Sequence, residues 1–244
     1  MKDPELDYSY TANPSQCGYL PSETWQLKYA LVRELTADKY WHLINSGWRR
    51  FGHVLFRPAC PACTACQPIR VLTQEYQPNR SQRRLIKANE STVELKIGAP
   101  NLNDEKLTLY MRHHHDHSES KGWPRPSMIG GVEHISSIID GPFPVEEWCY
   151  YIDGKLVSVA YMDALKDGLS GIYFFYDPDY KDKQLGTWIL ITMITVCAQR
   201  GLPYAYLGYF VKGCRSMEYK GHYKPSEILY PDGTWRLVDP LKQP

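Results

Sequence analysis

Residues 148–176 read WCYYIDGKLVSVAYMDALKDGLSGIYFFY, and this stretch decides the fold. Two apolar runs, Trp148 to Ile152 and Leu156 to Met162, flank the pair Asp153-Gly154. An Asp-Gly pair between two such runs is typical of a tight β-hairpin turn. A third apolar run, from Ile172 to Tyr176, predicts a buried strand. The stretch therefore predicts a hairpin followed by a third strand.

The residues that follow extend this pattern. A polar loop from Asp177 to Gly186 leads into a helix from Thr187 to Arg200, which Gly201 ends, and Tyr204 to Tyr209 predicts one more strand. Hairpin, strand, polar loop, helix and strand, in this order, are typical of an acetyltransferase-like core. We therefore predict an α/β fold of the GNAT type, a mixed sheet with helices, preceded by an N-terminal cysteine-containing α+β segment.

The N-terminal segment is rich in aromatic residues and is broken by prolines. Pro21 to Thr24 predicts a helix start, and Thr36 or Asp38 predicts the cap of a second helix. We divide the chain into an N-terminal cysteine-containing region, residues 1–90, and a C-terminal acetyltransferase-like domain, residues 91–244.

The composition is that of a globular protein. The 244 residues are 43% hydrophobic and 23% charged, and a formal net charge of +1 means that any nucleic-acid binding has to rest on local patches. The N-terminal sequence MKDPELDYSY lacks the apolar segment of a signal peptide. The longest apolar stretch, Trp188 to Ala198, is too short to span a bilayer. We therefore predict a cytoplasmic protein without a membrane partner.

Four cysteines form the most distinctive cluster of the N-terminal region. Cys60, Cys63 and Cys66 lie in the sequence CPACTAC, and Cys17 begins CGYL upstream. Thiols at this spacing can converge on one ion, so the four could ligate zinc or an iron–sulfur cluster. The alternative is a set of buried free thiols on a turn, because cysteine is among the most buried residue types.

A basic run and a histidine run lie further along the chain. The basic residues are Arg80, Arg83, Arg84 and Lys87. Their near-helical spacing predicts either a phosphate-binding face or a solvated helix surface. A helix that begins near Asn103 or Asp104 leads into the histidines, which are His113, His114, His115 and His117. These predict a metal or anion site, or the exposed end of a helix before a loop from Ser118 to Pro126.

Two segments of the C-terminal domain predict contacts with phosphates or bases. Asp182 to Thr187 resembles the loop in which acetyltransferases bind phosphate through backbone N–H groups, although Trp188 stands where a glycine is expected. Tyr209 to Lys220 places three cations beside aromatic rings, which suits a single-stranded nucleic-acid end. An ordinary surface segment is the alternative.

Several of these motifs occur together and keep a fixed order. The N-terminal motifs are Cys17-Gly-Tyr-Leu-Pro, the Cys60 to Cys66 cluster followed by Pro68-Ile69-Arg70, and Asn79-Arg80-Ser81-Gln82-Arg83-Arg84. The C-terminal motifs are Tyr173-Phe174-Phe175-Tyr176-Asp177-Pro178, Leu185-Gly186-Thr187, and Tyr206-Leu207-Gly208-Tyr209 with Lys212-Gly213-Cys214. Together they resemble the arginyl-tRNA–protein transferases, and the resemblance covers nearly the whole chain.

Two features indicate a branch of this family. The chain is much shorter than the eukaryotic members, and Leu20 stands where they have a second cysteine. With its three spaced cysteines it is similar to the bacterial aspartate/glutamate leucyltransferases. The resemblance implies transfer of leucine from leucyl-tRNA to acceptor proteins that begin with Asp or Glu, which marks them for degradation. It implies no cofactor for the transfer itself, and the missing cysteine leaves metal binding open.

This interpretation assigns a role to each candidate residue. Because an aminoacyl ester is already activated, the enzyme has to position the acceptor amine, keep it unprotonated and stabilise an oxyanion. Asp177 is the candidate base or the group that orients the amine, with a turn residue before Pro178 as the alternative. The cations that would select an acidic N-terminus are Arg80, Arg83 and His115. The residues expected to hold the aminoacylated tRNA end are Arg84, Gln184, Gly186, Thr187, Tyr209, Lys212, Arg215 and Lys220.

Three other functions compete with this one. An arginyl donor in place of a leucyl donor would keep the family. An acetyl-CoA-dependent N-acetyltransferase fits the order of elements, but Trp188 in place of glycine counts against it. A metal or redox sensor built on the cysteines would leave the C-terminal motifs unexplained.

Overall fold

The large sheet that contains the predicted hairpin is the centre of the molecule. The computed structural model describes residue 6, residues 8–239 and residue 241. Residues 1–5 and 7, on which much of the signal-peptide prediction rests, lie outside the described residues. Among the described residues, the strands form an eight-stranded sheet, a four-stranded sheet and a short two-stranded sheet.

Strands and helices alternate along much of the chain. The strands are β1 (Tyr8–Thr11), β2 (Ser15–Gln16), β3 (Thr24–Trp25), β4 (Leu27–Leu31), β5 (Arg49–Phe51), β6 (Val54–Pro58), β7 (Gln67–Leu72), β8 (Glu94–Gly98), β9 (Val145–Ile152), β10 (Lys155–Leu165), β11 (Gly168–Tyr176), β12 (Tyr204–Phe210), β13 (Ser226–Leu229) and β14 (Trp235–Val238). The helices are α1 (Ala37–Asn45), α2 (Arg80–Asn89), α3 (Asp104–Lys121), α4 (Met128–Ile139), α5 (Leu185–Gln199) and α6 (Arg215–Glu218). Short 3₁₀ turns cover Thr73–Glu75, Pro178–Lys183 and Tyr219–His222.

The large sheet has the strand order β14-β13-β7-β12-β11-β10-β9-β8. Its β9–β10 hairpin turns at Asp153 and Gly154, whose φ angles of 49° and 77° match a type I′ turn, so the predicted hairpin is confirmed. Among the described strands of this sheet, β11 and β12 are the parallel neighbours and the other pairs are antiparallel. Because α5 connects β11 to β12, the predicted acetyltransferase-like order of elements is confirmed.

The two parallel strands separate before they end. β11 and β12 are paired from Gly168 to Ser170, against Tyr204 to Tyr206. Beyond that point β11 stays paired with β10, and β12 stays paired with β7. Each strand carries an extra residue there, Ile172 in β11 and Leu207 in β12, and such bulges increase the local twist. The sheet therefore divides into two halves with a cleft between them.

Helices cover both faces of the large sheet. Neighbouring residues of β10 point to opposite faces, so that Ala160 belongs to one core and Tyr161 to the other. α5 and α2 pack on the first face, where Ile189 of α5 is fully buried. α3, with α4 beside it, packs on the second face around Ile135 and Phe175. In the part of the chain that the structure describes, no helix combines the length and the apolar character that crossing a membrane requires.

The four-stranded sheet, in the order β1-β4-β6-β5, forms a third core with α1. Thr36 caps α1 by accepting a hydrogen bond from the Lys39 N–H, which confirms the predicted second helix. The prediction of a helix that starts at Pro21 to Thr24 is wrong, because residues 24–31 form β3 and β4. β4 is the second strand of this sheet, paired with β1 on one side and β6 on the other, and tertiary pairing decides its conformation.

The predicted division of the chain at residue 90 does not match the fold. β7 precedes that residue, yet it lies in the large sheet between β13 and β12. α2 also precedes it and packs against α5 through Leu85. Residues 67–89 therefore belong to the central layer, and the N-terminal region does not form a separate unit there.

The helices on the second face differ from the prediction in length and number. α3 contains the histidine run and ends at Gly122, whose φ of 69° suits a helix C-terminus, so the predicted loop begins later than Ser118. α4 carries the pair Gly130-Gly131, which lowers its helix propensity and conceals it in the sequence. A Cβ at Gly131 would stand 2.9 Å from Leu107, so this glycine allows α4 to approach α3 closely.

A buried ion pair joins the small sheet to the large one. The Arg50 guanidinium, on β5, contacts both carboxylate oxygens of Asp163 on β10, and both side chains are fully buried. The Tyr40 hydroxyl, on α1, donates a hydrogen bond to Asp163 at 2.5 Å. Arg50 also donates to the Gly52 carbonyl at 3.1 Å. Three elements are thereby held at one carboxylate.

Replacing Asp163 with Asn should destabilise the protein strongly. The Arg50 guanidinium would remain buried without its counter-charge, and breaking a buried pair costs about 3–5 kcal/mol of unfolding free energy. Urea unfolding measures this loss. Asp38→Asn, which removes an exposed carboxylate paired with Lys166, is the control and should change stability little. An Asp163→Asn protein as stable as the parent would contradict the anchoring role.

Candidate active site

Arg49 lies in the cleft between β11 and β12. It precedes Arg50 on β5, and because side chains alternate along a strand, the two arginines point to opposite sides. Its Nη2 donates a hydrogen bond to the Gly171 carbonyl at 2.8 Å. Across the cleft, Gly208 has a φ of 85°, and a Cβ there would lie 3.7 Å from the guanidinium. Arg49 therefore stands between the separated strands, with the half-buried Gly171 and Gly208 on either side of it.

Lys220 lies beside the other wall of the cleft. Its Nζ donates a hydrogen bond to the Tyr209 carbonyl at 2.8 Å, on the part of β12 that has separated from β11. Burial, and then the charge of Arg49, lower the pKa of the Lys220 ammonium to about 7. A substantial fraction of this amine is therefore neutral near pH 7, unlike an ordinary surface lysine.

The wall that β11 forms is partly open to solvent. Residues 171–174 are half-buried, although β11 is a central strand. The Tyr173 hydroxyl and His114 Nε2 are hydrogen-bonded at 2.7 Å, and the ring of His134 lies 4.6 Å from that of Tyr173. Burial lowers the pKa of His114 to about 4, so the ring is neutral at pH 7. A molecule in the cleft would meet neutral aromatic side chains here.

The start of α5 lies at the end of β11. Gln184 is exposed with a φ of 45°, and no described side chain caps the helix. A Cβ at Gly186 would lie 3.6 Å from the rings of Phe174 and Tyr176, so the glycine allows the helix to start against the strand. The Thr187 side chain lies close enough to the Tyr223 hydroxyl to influence its pKa. Gln184 and Gly186 thus lie at the start of α5, and their predicted contact with the tRNA end stays a prediction.

The predicted basic helix flanks this helix start. The Asn89 side chain of α2 donates to the Lys183 carbonyl at 2.8 Å, just before α5. Arg80, Arg83 and Arg84 are exposed on α2, which packs on the face that carries α5. The structure therefore brings the three arginines to the phosphate-loop side of the molecule. It does not place Arg80 and Arg83 in the cleft beside Arg49.

Asp177 is held by cations at the end of β11. Its side chain is 1% exposed and accepts hydrogen bonds from Arg112 at 2.7 Å, Lys155 at 2.9 Å and the Asp179 N–H at 3.1 Å. Burial alone would raise the pKa of the carboxyl, but the bonds from Lys155, Arg112 and the Asp179 N–H lower it below the ordinary value. Both oxygens are engaged, which is the environment of an anchor for the turn that begins at Pro178.

The histidine run points mainly inward. His113 and His117 are buried, and their rings lie 4.1 Å apart beside Trp123. Burial lowers the pKa of His113 to about 3, so it does not carry charge at pH 7. The predicted exposed helix end is therefore wrong for these two residues. His115 is exposed on the outer side of α3, away from the cluster that faces Tyr173.

The segment after β12 divides into buried and exposed residues. Tyr209 is buried, and its hydroxyl donates to the Gly47 carbonyl at 2.8 Å, so its ring is not available to stack on a base. This corrects the prediction for Tyr209. Lys212 and Arg215 are exposed, as a contact with a nucleic acid would require.

The four N-terminal cysteines line one small apolar pocket. Cys17, Cys60, Cys63 and Cys66 surround it together with Tyr209. Backbone N–H groups of Tyr19 and Leu20 donate to the Cys17 sulfur at 3.4 Å. Burial, followed by the neighbouring thiols, raises the pKa of Cys66 to about 12. Among the described residues, no three His, Cys, Asp or Glu side chains are arranged to hold a metal ion, and zinc or a cluster stays a prediction.

Sequence reasoning did not select Arg49. The signal that could have found it is the pair Arg49-Arg50, which the structure places on the short strand β5. Adjacent strand residues face opposite ways, so both cations cannot share the same surroundings. Lys220 was selected as a tRNA contact, but its burial and its neutral amine were not foreseen.

Comparison with known proteins places these features in one family. Two family models match, arginine-tRNA-protein transferase N terminus over residues 15–84 and C terminus over residues 105–230. An aspartate/glutamate leucyltransferase of Campylobacter jejuni subsp. jejuni serotype O:6 is 38% identical over 235 residues, which cover 96% of this chain and 97% of the relative. Another, from Agrobacterium fabrum, is 34% identical and covers 96% of both chains.

Two solved structures show weaker similarity. One is the C-terminal domain of a putative lysylphosphatidylglycerol synthetase from Agrobacterium fabrum, with a TM-score of 0.49 and 12% identity over 84% of this chain and 78% of that one. The other is FemX, with a TM-score of 0.46 and 9% identity over 84% of this chain and 80% of that one. The sequence relatives and the two family models carry the assignment, and the chain belongs to the arginine-tRNA-protein transferase family.

Proposed function

We propose that this protein transfers leucine from leucyl-tRNA to the N-terminal amine of cytoplasmic proteins whose first residue is Asp or Glu. The observation that carries the proposal is the cleft between β11 and β12, with Arg49 and Lys220 in it, in a chain that belongs to this transferase family. Relatives that match almost the full chain are named for leucine transfer, which favours leucine as the donated residue.

The reaction needs positioning more than activation. The acceptor amine attacks the carbonyl carbon of the leucyl ester, and a C–N bond forms. The ester C–O bond then breaks, and the ribose hydroxyl of the tRNA leaves with the proton that the amine gives up. Because the ester already supplies the driving force, ATP is not needed. The enzyme has to hold the two reactants together and stabilise the oxyanion.

The tRNA end is assigned to the start of α5. Gln184 and Gly186 lie at this uncapped helix start, where backbone N–H groups and the helix dipole favour a phosphate. Arg80, Arg83 and Arg84 lie on the neighbouring helix and would extend the contact along the acceptor stem. We therefore assign Arg80 and Arg83 to binding of the tRNA and no longer to binding of the acceptor.

The ester carbonyl is assigned to the cleft beside the bulge in β11. The extra residue, Ile172, has no partner in the β10 register, and a bulge leaves the backbone groups of such a residue unpaired. Its amide is therefore the candidate donor to the oxyanion. The fold supplies this donor without any side chain, since the bulge belongs to the strand itself.

Lys220 is the proposed proton acceptor. A base works best when its pKa lies near the working pH, and the pKa of Lys220 is lowered to about 7. Asp177 suits this role less well, because its pKa is lowered and its oxygens bond to Arg112 and Lys155. We therefore assign Asp177 to the anchoring of the turn.

Leucine transfer is the first prediction. The purified protein, with its cysteines reduced, should move radiolabelled leucine from leucyl-tRNA to peptides that begin with Asp or Glu, and not to peptides that begin with Arg or Ala. Uncharged tRNA with free leucine is the control and should give no product. Transfer from arginyl-tRNA instead would keep the family and reject leucine, and absence of transfer from both donors would reject the function.

The role of Lys220 is tested by two substitutions. Lys220→Met and Lys220→Arg should both lower kcat by about 10²–10⁴-fold, because neither side chain accepts a proton at neutral pH. In the parent, kcat/KM for the acceptor peptide should rise as pH increases through about 7, where the Lys220 ammonium of the free enzyme loses its proton. If Lys220 serves only as a positive charge for tRNA, the Arg variant would keep its activity, and the proposal would be wrong.

The substitution Asp177→Asn tests whether Asp177 anchors the turn or acts as the base. Asn keeps the cap on the Asp179 N–H but removes the charge that Arg112 and Lys155 contact, so stability at pH 7 should fall by about 1 kcal/mol. The pKa of Asp177 in the folded protein lies below its unfolded value of about 3.9. The stability that the Asp177 carboxylate contributes is therefore present above that pH and is lost as pH falls through the folded pKa. Urea unfolding at pH 7 and pH 3 measures it. A kcat loss as large as that of Lys220→Met would instead identify Asp177 as the base.

A further inference from the structure

Arg49 differs in its partners from the two buried arginines of the described chain. Each of those pairs with a carboxylate, Arg50 with Asp163 and Arg70 with Glu227. Within residues 8–239, no carboxylate forms an ion pair with Arg49, whose side chain donates a hydrogen bond to the Gly171 carbonyl. A half-buried guanidinium without a counter-charge is unfavourable by itself, and it favours binding of an anion.

The surroundings of Arg49 restrict what that anion can be. The guanidinium lies between β11 and β12, at the point where the strands separate and where we place the ester carbonyl. The backbone of Gly171 and Gly208 flanks it, so few side-chain atoms stand between it and a molecule in the cleft. Lys220 is close enough for the charge of Arg49 to lower its pKa. An anion bound here would lie beside the reacting amine.

We propose that Arg49 binds the side-chain carboxylate of the acceptor's first residue and thereby selects proteins that begin with Asp or Glu. This inference rests on the proposed leucine transfer and identifies the residue that recognises the first residue of the acceptor. A guanidinium presents a fork of N–H donors that matches a carboxylate in two parallel hydrogen bonds, and the bond to Gly171 leaves other donors of Arg49 for the ligand.

The geometry of the acceptor supports this assignment over the cations that the sequence suggested. The α-amine and the side-chain carboxylate belong to one residue, so the cation that reads the carboxylate has to lie in the cleft that holds the amine. Arg49 meets this condition. Arg80 and Arg83 are on the exposed surface of α2, and His115 is on the outer side of α3.

Binding of the carboxylate would also assist the proton transfer. The charge of Arg49 is one of the causes that lower the pKa of Lys220. When a carboxylate pairs with Arg49, that repulsion is offset, and the neutral Lys220 amine becomes a stronger proton acceptor. An acceptor that begins with Asn or Gln would lack both the hydrogen bonds and this effect.

The test compares acidic acceptors with their neutral isosteres. The kcat/KM for leucine transfer is measured with peptides that begin with Asp, Asn, Glu or Gln, using the parent, Arg49→Gln, Arg49→Lys and Arg33→Gln. Arg33 is an exposed arginine on the loop after β4, so its variant removes the same charge from a site outside the cleft. The ratio of Asp to Asn, and of Glu to Gln, is independent of the fraction of folded enzyme.

In the parent and in Arg33→Gln, the Asp peptide should exceed the Asn peptide by at least about 30-fold, the factor expected for a desolvated charge pair. In Arg49→Gln this ratio should fall close to one, mainly through loss of the Asp reaction, while the KM for leucyl-tRNA stays unchanged. Arg49→Lys should keep a smaller preference for Asp, because a lysine retains the charge but not the fork.

Other outcomes have distinct meanings. If Arg49→Gln lowers the rates for Asp and Asn peptides equally, Arg49 stabilises the oxyanion or orders the strands, and the inference is wrong. A raised KM for leucyl-tRNA with an unchanged Asp-to-Asn ratio would assign Arg49 to the tRNA and also overturn it. Absence of transfer by the parent enzyme would reject the proposed function itself, so the two failures are distinguishable.

Discussion

The ion pair between Arg50 and Asp163 holds the small N-terminal sheet against the large one, and the position of the neighbouring arginine depends on it. Because side chains alternate along β5, a fixed Arg50 directs Arg49 to the opposite side, into the cleft. The Tyr40 hydroxyl donates a hydrogen bond to the same carboxylate and so links α1 to the two sheets. The buried Asp163 carboxylate therefore fixes the position of Arg49 through its neighbour, and the cost of desolvating Asp163 is offset by hydrogen bonds from two elements, β5 and α1.

The cleft itself is a consequence of strand pairing. β11 and β12 share three registered pairs, and each then follows its antiparallel neighbour, β10 or β7. The twist of the two half-sheets, increased by the bulges at Ile172 and Leu207, carries the strands apart. Backbone groups are thereby exposed in the middle of a sheet, where they are ordinarily paired. A reaction that needs donors for an oxyanion and space for two reactants is well served by such a gap.

The charges near the cleft fall into two groups. Arg112 and Lys155 neutralise Asp177, and this set holds the turn that leads from β11 to α5. Arg49 lies between the separated strands and Lys220 bonds to the Tyr209 carbonyl of β12, and in residues 8–239 neither has a carboxylate ion pair. Burial, and then the charge of Arg49, lower the pKa of Lys220. An acceptor with an acidic first residue complements this pair, because its carboxylate matches Arg49 and its amine has a proton to give to Lys220.

The sequence by itself determined the elements whose signals are local. The Asp153-Gly154 turn, the Thr36 cap of α1 and the apolar run of α5 were predicted from neighbouring residues, because turns, caps and periodicity act over short distances. The family also followed from motifs in order. Tertiary structure alone decided the strand conformation of β4, the burial of Tyr209 and the separate environments of Arg49 and Arg50. Their partners lie far along the chain, 122 residues from Arg49 to Gly171 and 113 from Arg50 to Asp163, and no local pattern encodes burial or pKa across such distances.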